Sequence, residues 1–114
     1  MRIWRNETTE TFTPPAHFGG LQVANFVPLD GHEFSIQIST APPGGGGELH
    51  HHDRWSQLFF VMKGELTFDT GKDRFTLVAG QGVLFDPKDP HATLNEGAGD
   101  SVSLVVTFDH SAGR

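Results

Sequence analysis

The sequence predicts an all-β protein, a sandwich or barrel built from many short strands. Apolar and polar residues alternate in several segments, glycine and proline turns separate those segments, and no stretch of ten residues has a convincing helical period. The chain of 114 residues contains ten phenylalanines and two tryptophans. This length and aromatic content suit a single domain, expected to span 1–114, with one core.

The first clear strands lie in the middle of the chain. In 32–39 (HEFSIQIS), Phe34, Ile36 and Ile38 share one face, which we expect to be the buried face of a half-buried strand. In 55–64 (WSQLFFVMKG) both faces are apolar, so this strand is expected to pack on two sides.

The segment 64–80 (GELTFDTGKDRFTLVAG) predicts a hairpin with its turn at 69–73. Its inward residues are expected to be Leu66, Phe68, Phe75 and Leu77. A short strand in 80–87 (GQGVLFDP) ends at Pro87, and 100–108 (DSVSLVVTF) alternates again. Core packing is the expected role of the apolar face of this last strand, formed by Val102, Leu104, Val106 and Phe108.

Charge and composition argue against several classes of partner. The formal net charge is -6 and no basic cluster is present, so nucleic acid is not expected as a partner. The chain has no cysteine, which excludes disulfides and thiol nucleophiles and fits a cytoplasmic protein, the expected location. The N-terminus lacks the apolar core of a signal peptide, and no apolar run approaches the ~18 residues of a membrane span, so no membrane partner is expected.

Three consecutive histidines in 44–57 (GGGGELHHHDRWSQ) raise the question of a metal site. In a strand, His50 and His52 would point to one face and His51 to the other, so that two imidazoles could reach one ion. A histidine run on a glycine-rich loop is also often simply solvated, so the run alone leaves both interpretations open.

Two further residues complete a four-ligand set. Gln57 opens the next strand, and a turn can bring it opposite the histidines; His91 follows Pro87 and Pro90 at the start of another strand. Three neutral imidazoles and one amide oxygen suit a divalent transition ion such as Fe, Ni, Zn or Mn. Positions would remain open for water or substrate.

The spacing of these residues resembles the first motif of the cupin superfamily. That motif runs Gly, five residues, His-x-His, three or four residues, Glu, six residues, Gly. Here Gly44, His50, His52, Gln57 and Gly64 match every interval, with glutamine in place of glutamate.

A second cupin motif ends in Pro-x-Gly, two residues, His, three residues, Asn. Pro87, His91 and Asn95 resemble it, but Asp89 stands where the glycine is expected and the interval from Pro87 to His91 is one residue short. The shape of this turn is therefore left open.

The resemblance covers about 33–108 and is to small single-domain cupins. It implies a double-stranded β-helix, or jelly-roll, barrel. It also implies one divalent transition metal ion inside the barrel, held by His50, His52, Gln57 and His91.

Side chains alternate between the two faces of a strand, and this alternation suggests which other residues lie near the site. Trp55 and Phe59 share the face of the predicted glutamine ligand, and Phe108 lies on the apolar face of the last strand. These three are the candidate pocket residues, with core packing as the alternative. Glu48 shares the ligand face if its strand begins early enough and is then the candidate catalytic carboxylate, but a solvated loop residue is the favoured interpretation. The remaining histidines, expected at the surface, are His17, His32 and His110.

Three functions remain open, because a fold does not determine an activity. The first is a metal-dependent isomerase, lyase or ring-opening enzyme that acts on a small, oxygen-rich, anionic molecule. The second is an Fe(II)-dependent dioxygenase, and the third is a non-enzymatic barrel that binds a ligand.

Gln57 is the departure that most affects the chemistry of the site. A neutral amide leaves a divalent site at a formal charge of +2, where glutamate would leave +1, so an anionic substrate is favoured. The amide nitrogen of Gln57, if it is free, could also donate a hydrogen bond to a substrate oxygen.

A homodimer is expected, because a barrel this small has open sheet edges that need cover. The segment through Val27 alternates at Leu21 and Val23 but has little core of its own. It could pair with the sheet of a neighbouring chain, as in many cupin dimers.

Overall fold

The computed structural model describes residues 1, 3–29 and 33–111, and His32 lies outside the described residues. A short 3-10 helix, Asn6–Thr8, comes first. The strands are β1 (Thr11–Phe12), β2 (His17–Phe18), β3 (Gln22–Val27), β4 (Phe34–Ala41), β5 (Gly46–His50), β6 (Trp55–Lys63), β7 (Glu65–Asp69), β8 (Arg74–Val78), β9 (Gly82–Phe85), β10 (His91–Leu94) and β11 (Ser101–Asp109). No helix in the described part of the chain has the length and apolar character needed to cross a membrane.

The strands form two antiparallel sheets. The six-stranded sheet has the order β1-β3-β4-β11-β6-β9, and the five-stranded sheet has the order β2-β5-β10-β7-β8. From β4 to β7 successive strands alternate between the sheets, which winds the chain around the barrel as in a double-stranded β-helix. The predicted all-β jelly-roll architecture is confirmed.

The predicted hairpin forms β7 and β8. Phe68 pairs with Phe75 and Leu66 with Leu77, so that both apolar pairs lie on one face. Phe68 is 0% exposed and Leu66 5% exposed. They belong to the apolar core cluster of Val61, Leu66, Phe68 and Phe85.

Strands β4 and β11 present the opposite face from the one expected. On β11, Ser103 and Thr107 are 1% and 2% exposed, whereas Phe108 is 43% exposed. On β4, Ser35 is 4% exposed and Phe34 40% exposed. The apolar faces predicted to be buried therefore lie outside: Phe34, Ile36 and Ile38 on β4, and Val102, Leu104, Val106 and Phe108 on β11. The physical reason is that small and polar side chains line a cavity beside these two strands.

The N-terminal segment pairs within its own chain. Thr11 pairs with Ala24, which adds β1 to the edge of the six-stranded sheet, and His17 pairs with Gly47, which adds β2 to the other sheet. β1 and β2 are therefore the edge strands of the two sheets, and pairing with a neighbouring chain stays a prediction.

Candidate metal centre

His50 and His91 lie directly opposite each other on neighbouring strands. β5 ends at His50, β10 begins at His91, and the register of the two strands pairs these residues. Their ring centroids are 4.7 Å apart. The Nδ1 of His50 donates a hydrogen bond to the carbonyl oxygen of Glu48 at 2.7 Å, so its Nε2 carries the lone pair that an ion would use.

His52 lies just beyond the end of β5, in the loop before β6. Its ring turns back toward His50, with the centroids 4.8 Å apart. His51 is exposed instead and pairs with Asp53 at 3.3 Å. As expected, His50 and His52 lie together and His51 points away from them, although β5 ends at His50.

The turn 86–90 sets the position of His91. Lys88 has a φ of 73°, the left-handed conformation that glycine adopts most easily. The positive φ thus falls one residue before Asp89, where the glycine of the motif was expected. The backbone N–H of Lys88 donates to the carbonyl of His52 at 2.6 Å, which ties the two histidine loops together.

Other residues of the two motifs act on the backbone. Gly64 has a φ of 72°, and a Cβ there would lie 2.5 Å from a backbone carbonyl oxygen. Asn95 is 1% exposed, and its amide donates to the carbonyl oxygens of Ala41 and Gly99 at 2.8 Å each. These bonds hold the end of β4 against the loop that follows β10.

Gln57 presents its amide oxygen to the histidines. Its Oε1 lies 3.2 Å from the Nε2 of His91, and its Nε2 donates to the Oγ1 of Thr107 at 3.0 Å. Thr107 pairs with Gln57 across β6 and β11 and is 2% exposed. Thr107 therefore already takes one of the two hydrogens of this amide nitrogen.

The contact between Gln57 and His91 brings two lone pairs together. The Nδ1 of His91 donates to the carbonyl of Asp89 at 3.2 Å, so its Nε2 faces the oxygen of Gln57 as an acceptor. Burial lowers the pKa of His91 to about 4, partly offset by the Asp89 hydrogen bond, and repulsion from the neighbouring histidines also lowers it. The ring is therefore neutral at neutral pH and carries one proton. With that proton on Nδ1, a metal cation fits between Nε2 and the oxygen of Gln57.

His52 supplies a further unused donor atom. Its Nε2 is buried without a hydrogen-bond partner among the described residues. Burial, followed by repulsion from His50, lowers the pKa of His52 and keeps the ring neutral. The donor atoms of His50, His52 and His91 lie within 4.8 Å of one another, so these three residues could hold one metal ion. The oxygen of Gln57 fits as a fourth ligand.

The histidines open onto a cavity of about 460 Å³. This volume lies within the range of about 300–1,000 Å³ that is usual for small-molecule sites. Phe12, Pro14 and other residues of the N-terminal segment form part of the lining. Within residues 1, 3–29 and 33–111, no Asp, Glu, Lys or Arg side chain lines the cavity.

Two of the three candidate pocket residues line the cavity. The ring centroid of Trp55 is 4.6 Å from that of His52, and the centroid of Phe59 is 5.7 Å from that of His91. Phe108 lies on the outer face of the six-stranded sheet and is 43% exposed. Its predicted place in the pocket is wrong, since the neighbouring Thr107 points inward instead.

Glu48 does not bring a carboxylate to the cavity. Its side chain is exposed and is not part of the cavity lining. Its backbone carbonyl contributes instead, by accepting the hydrogen bond from His50. The exposed side chain agrees with the interpretation of Glu48 as a solvated residue and gives no support to a catalytic role.

His17, expected at the surface, lies in the cavity lining instead. It is half-buried and lines the cavity, with its ring centroid 6.1 Å from that of His50; His110 is exposed, as expected. A Cβ at Gly47 would lie 2.8 Å from the His17 ring, so the glycine run leaves room for this histidine. That run was the available signal, but only the pairing of β2 with β5 shows what it accommodates.

The family model of the cupin domain matches residues 37–108, which is more than half of the chain. No curated protein matches the sequence.

Several solved structures have a similar fold. A predicted oxalate decarboxylase from Thermotoga maritima has a TM-score of 0.85 and 19% identity, over 95% of this chain and 99% of that one. The polyketide cyclase RemF from Streptomyces resistomycificus has a TM-score of 0.82 and 16% identity, over 95% and 79%. A sugar phosphate isomerase of the cupin superfamily from Silicibacter pomeroyi has a TM-score of 0.80 and 18% identity, over 94% and 75%. At these identities the likeness concerns the fold alone, and together with the family match it means that this chain belongs to the cupin family.

Proposed function

We propose that this cupin is a metal-dependent enzyme that isomerises, cleaves or opens the ring of a small, oxygen-rich, anionic organic molecule. The observation that carries the proposal is the convergence of three histidines, whose donor atoms lie within 4.8 Å of one another, on a cavity of about 460 Å³. A divalent ion of the Fe, Ni, Zn or Mn type would supply Lewis-acid polarisation of a coordinated oxygen.

The chain's own residues would orient the substrate and exclude water. The rings of Trp55 and Phe59 flank the histidines, and Thr107 fixes the amide of Gln57 with its oxygen toward His91. Because no carboxylate lines the cavity in the described part of the chain, the charge of the site would stay at a formal +2 and attract an anion.

His17 is our candidate for proton transfer. It is the one titratable residue of the described cavity lining that lies outside the metal set. Its Nδ1 donates to the carbonyl of Pro15 at 2.8 Å, so its Nε2 carries a lone pair. His17→Gln is expected to lower turnover while metal affinity stays unchanged. Loss of metal in that variant would instead place His17 among the ligands.

Metal binding is tested first. His91→Ala should lower metal affinity by at least about a hundredfold, because even the partners of metal ligands are worth about ten- to a hundredfold. His51→Ala is the matched control and should bind as the wild type does, since His51 is exposed. Elemental analysis and competitive metal titration measure both. Binding that survives in His52→Ala but is lost in His51→Ala would contradict the proposed set.

Turnover with and without oxygen separates the enzyme classes. A panel of small hydroxy and keto acids is incubated with the metal-loaded protein, and product and oxygen uptake are followed. Turnover in the absence of oxygen supports the proposal. Oxygen uptake would identify the Fe(II)-dependent dioxygenase, and no turnover across the panel would leave a ligand-binding barrel.

We also propose a homodimer formed through the outer face of the six-stranded sheet. Phe34, Phe60, Leu84 and Phe108 on this face are 40%, 39%, 55% and 43% exposed. Their strands are neighbours, so they form one apolar surface that also includes Ile36, Ile38, Leu58, Leu104 and Val106. Contiguous apolar patches of this kind mark interfaces, and a two-fold dimer uses the same patch on both copies.

The dimer is tested by introducing glutamates on the outer face of the six-stranded sheet and, as a control, on the five-stranded sheet. The double change Phe60→Glu and Leu84→Glu should give a monomer, because it puts carboxylates into the proposed interface. Val78→Glu is the control, since Val78 is 49% exposed but lies on β8 in the other sheet. Sedimentation of the wild type as a monomer at micromolar concentration would refute the dimer.

A further inference from the structure

Two serine hydroxyls in the cavity lining lack a hydrogen-bond partner. Ser101 and Ser103 are 2% and 1% exposed, and the Oγ atoms of both are buried without a partner in the described part of the protein. Both residues line the cavity. Buried hydroxyls are normally bonded, so two unbonded ones beside a cavity indicate that a ligand or ordered water bonds them.

Two further polar, uncharged side chains lie on the same face, where apolar residues such as Val105 also line the cavity. Ser39 pairs with Ser103 across β4 and β11, and Gln37 lies two residues before Ser39 on the cavity side. The amide nitrogen of Gln37 donates to the Oδ1 of Asn25 at 2.8 Å, which fixes its orientation. We call Gln37, Ser39, Ser101 and Ser103 the polar floor.

The polar floor is displaced from the histidines along the strands. Thr107, which bonds Gln57, and Ser103 are four residues apart on β11, a distance of about 13 Å at about 3.3 Å per residue. A molecule that touches both the histidines and the floor therefore spans much of the cavity. A second charged group at the floor would be buried with no counter-charge, since no ionic side chain lines the described cavity.

We propose that the polar floor binds the far end of the substrate, and that this end carries uncharged hydroxyl or carbonyl oxygens. The inference rests on the proposed function, which places an anionic chelating head at the histidines. It narrows the substrate class to small hydroxy or keto acids with a neutral, oxygen-bearing tail. Dicarboxylates, phosphate esters and acids with apolar tails are disfavoured.

Three probes isolate the far end of the ligand. The acids 2-hydroxyhexanoate, 2,6-dihydroxyhexanoate and 2-hydroxyadipate share a chelating head and a six-carbon chain, and end in a methyl, a hydroxyl and a carboxylate. Calorimetric titration of the metal-loaded protein should show that 2,6-dihydroxyhexanoate binds about tenfold more tightly than either of the others, which is about 1.4 kcal/mol. The hydroxyl gains the unused serine bonds, the methyl does not, and the carboxylate loses its hydration.

Serine variants test whether the floor is responsible. The double change Ser101→Ala and Ser103→Ala should abolish the preference for the hydroxyl end and leave metal affinity and 2-hydroxyhexanoate binding unchanged. Because it removes two unbonded hydroxyls, it should not lower the Tm of the ligand-free protein. Ser56→Ala is the control: Ser56 is 7% exposed, bonds His110 at 2.7 Å and does not line the cavity, so this variant should keep the preference and lose Tm.

The outcomes separate this inference from the proposed function. Equal affinities for the three probes in a metal-binding protein, or a preference that survives in the double variant, would overturn the inference alone. A wild type that binds no metal would overturn the proposed function. The floor would then be tested on the metal-free protein with 1,6-hexanediol: weaker binding by the double variant supports it, and equal binding refutes it.

Discussion

Apolar and polar residues alternate in both the β7–β8 hairpin and strand β11. The hairpin turns its apolar face into the barrel, whereas β11 turns its apolar face outward. In the hairpin, the apolar Leu66 and Phe68 point inward and are 5% and 0% exposed. In β11, Ser101 and Ser103 point inward at 2% and 1% exposure, and the apolar Phe108 is 43% exposed on the outside. The barrel therefore has two interiors: a packed apolar one at the hairpin, and an open cavity beside β11 whose lining includes serine hydroxyls.

The two interiors are suited to different tasks. At the hairpin, the ring of Phe68 stacks on that of Phe75 at 5.5 Å and meets that of Phe59 edge-on at 5.4 Å, which excludes water and stabilises the fold. Beside β11, short hydroxyl side chains leave room for a ligand and offer it hydrogen bonds. The packed core at the hairpin stabilises the fold. The cavity beside β11 is less stabilising because it leaves space for a ligand.

Removing an aromatic ring from each region gives the largest expected contrast. Phe68→Ala should lower the free energy of unfolding by about 3–5 kcal/mol, because it leaves a cavity in a packed core. Phe108→Ala should cost less than about 1 kcal/mol under conditions in which the chain is monomeric, since that ring is already 43% exposed. Urea denaturation measures both. Similar losses in the two variants would mean that the outer face is packed as the core is.

Acid should destabilise the cavity side of the metal-free barrel. Burial lowers the pKa of His91 to about 4, whereas an unfolded chain titrates near pH 6.5. Between these values the unfolded state binds the extra proton, so this stability is fully present above about pH 6.5 and is lost as the pH falls toward 4. At about 1.4 kcal/mol per pH unit, the loss is on the order of 3 kcal/mol.

Denaturation at pH 7 and pH 4.5 checks this slope. His91→Asn should flatten the dependence on pH, and His51→Asn should keep it, because His51 is exposed. A slope of the wild-type size in His91→Asn would show that the acid sensitivity arises elsewhere, and would remove the contrast between the two interiors.

The alternation of apolar and polar residues predicted where the strands lie, but not which face of each strand is buried. For the hairpin, the apolar face is the buried one, and the predicted inward positions of Leu66 and Phe68 are confirmed. For β4 and β11 the same rule fails, because these two strands turn their serine side chains toward the cavity and their phenylalanines outward. The run of Gln37, Ser39, Ser101 and Ser103 was visible in the sequence, but only the pairing of distant strands shows that these residues share a surface.

The candidate site was predicted better than its surroundings. The intervals around His50, His52, Gln57 and His91 are local or follow a family motif, so the sequence was sufficient to group them. The place of His17 in the cavity lining was not predicted, because it depends on the pairing of β2 with β5, which no local pattern reveals. Alternation along a strand assigned Glu48 to the same face as the histidines. It does not show whether that face is buried or exposed at Glu48.

The smallest expected effect concerns Gln57, which joins the cavity to β11 through its bond to Thr107. Gln57→Glu should keep or tighten metal binding, because an anionic oxygen replaces a neutral one 3.2 Å from the Nε2 of His91, and the hydroxyl of Thr107 can donate to the new carboxylate. The same change lowers the formal charge of a divalent site from +2 to +1. An anion such as oxalate should then bind about tenfold less tightly, which corresponds to about 1.4 kcal/mol.

The variant Gln37→Glu separates two effects of a new carboxylate: coordination of the metal ion and repulsion of an anionic ligand. Gln37 also lines the cavity but bonds Asn25, so a carboxylate there should weaken oxalate binding without changing metal affinity. Binding of imidazole, a neutral ligand, should change little in either variant. Metal titration followed by oxalate and imidazole titration measures all three quantities. If Gln57→Glu leaves both metal and oxalate affinity unchanged, Gln57 only bridges β6 to β11, and the centre consists of three histidines on an otherwise uncharged wall.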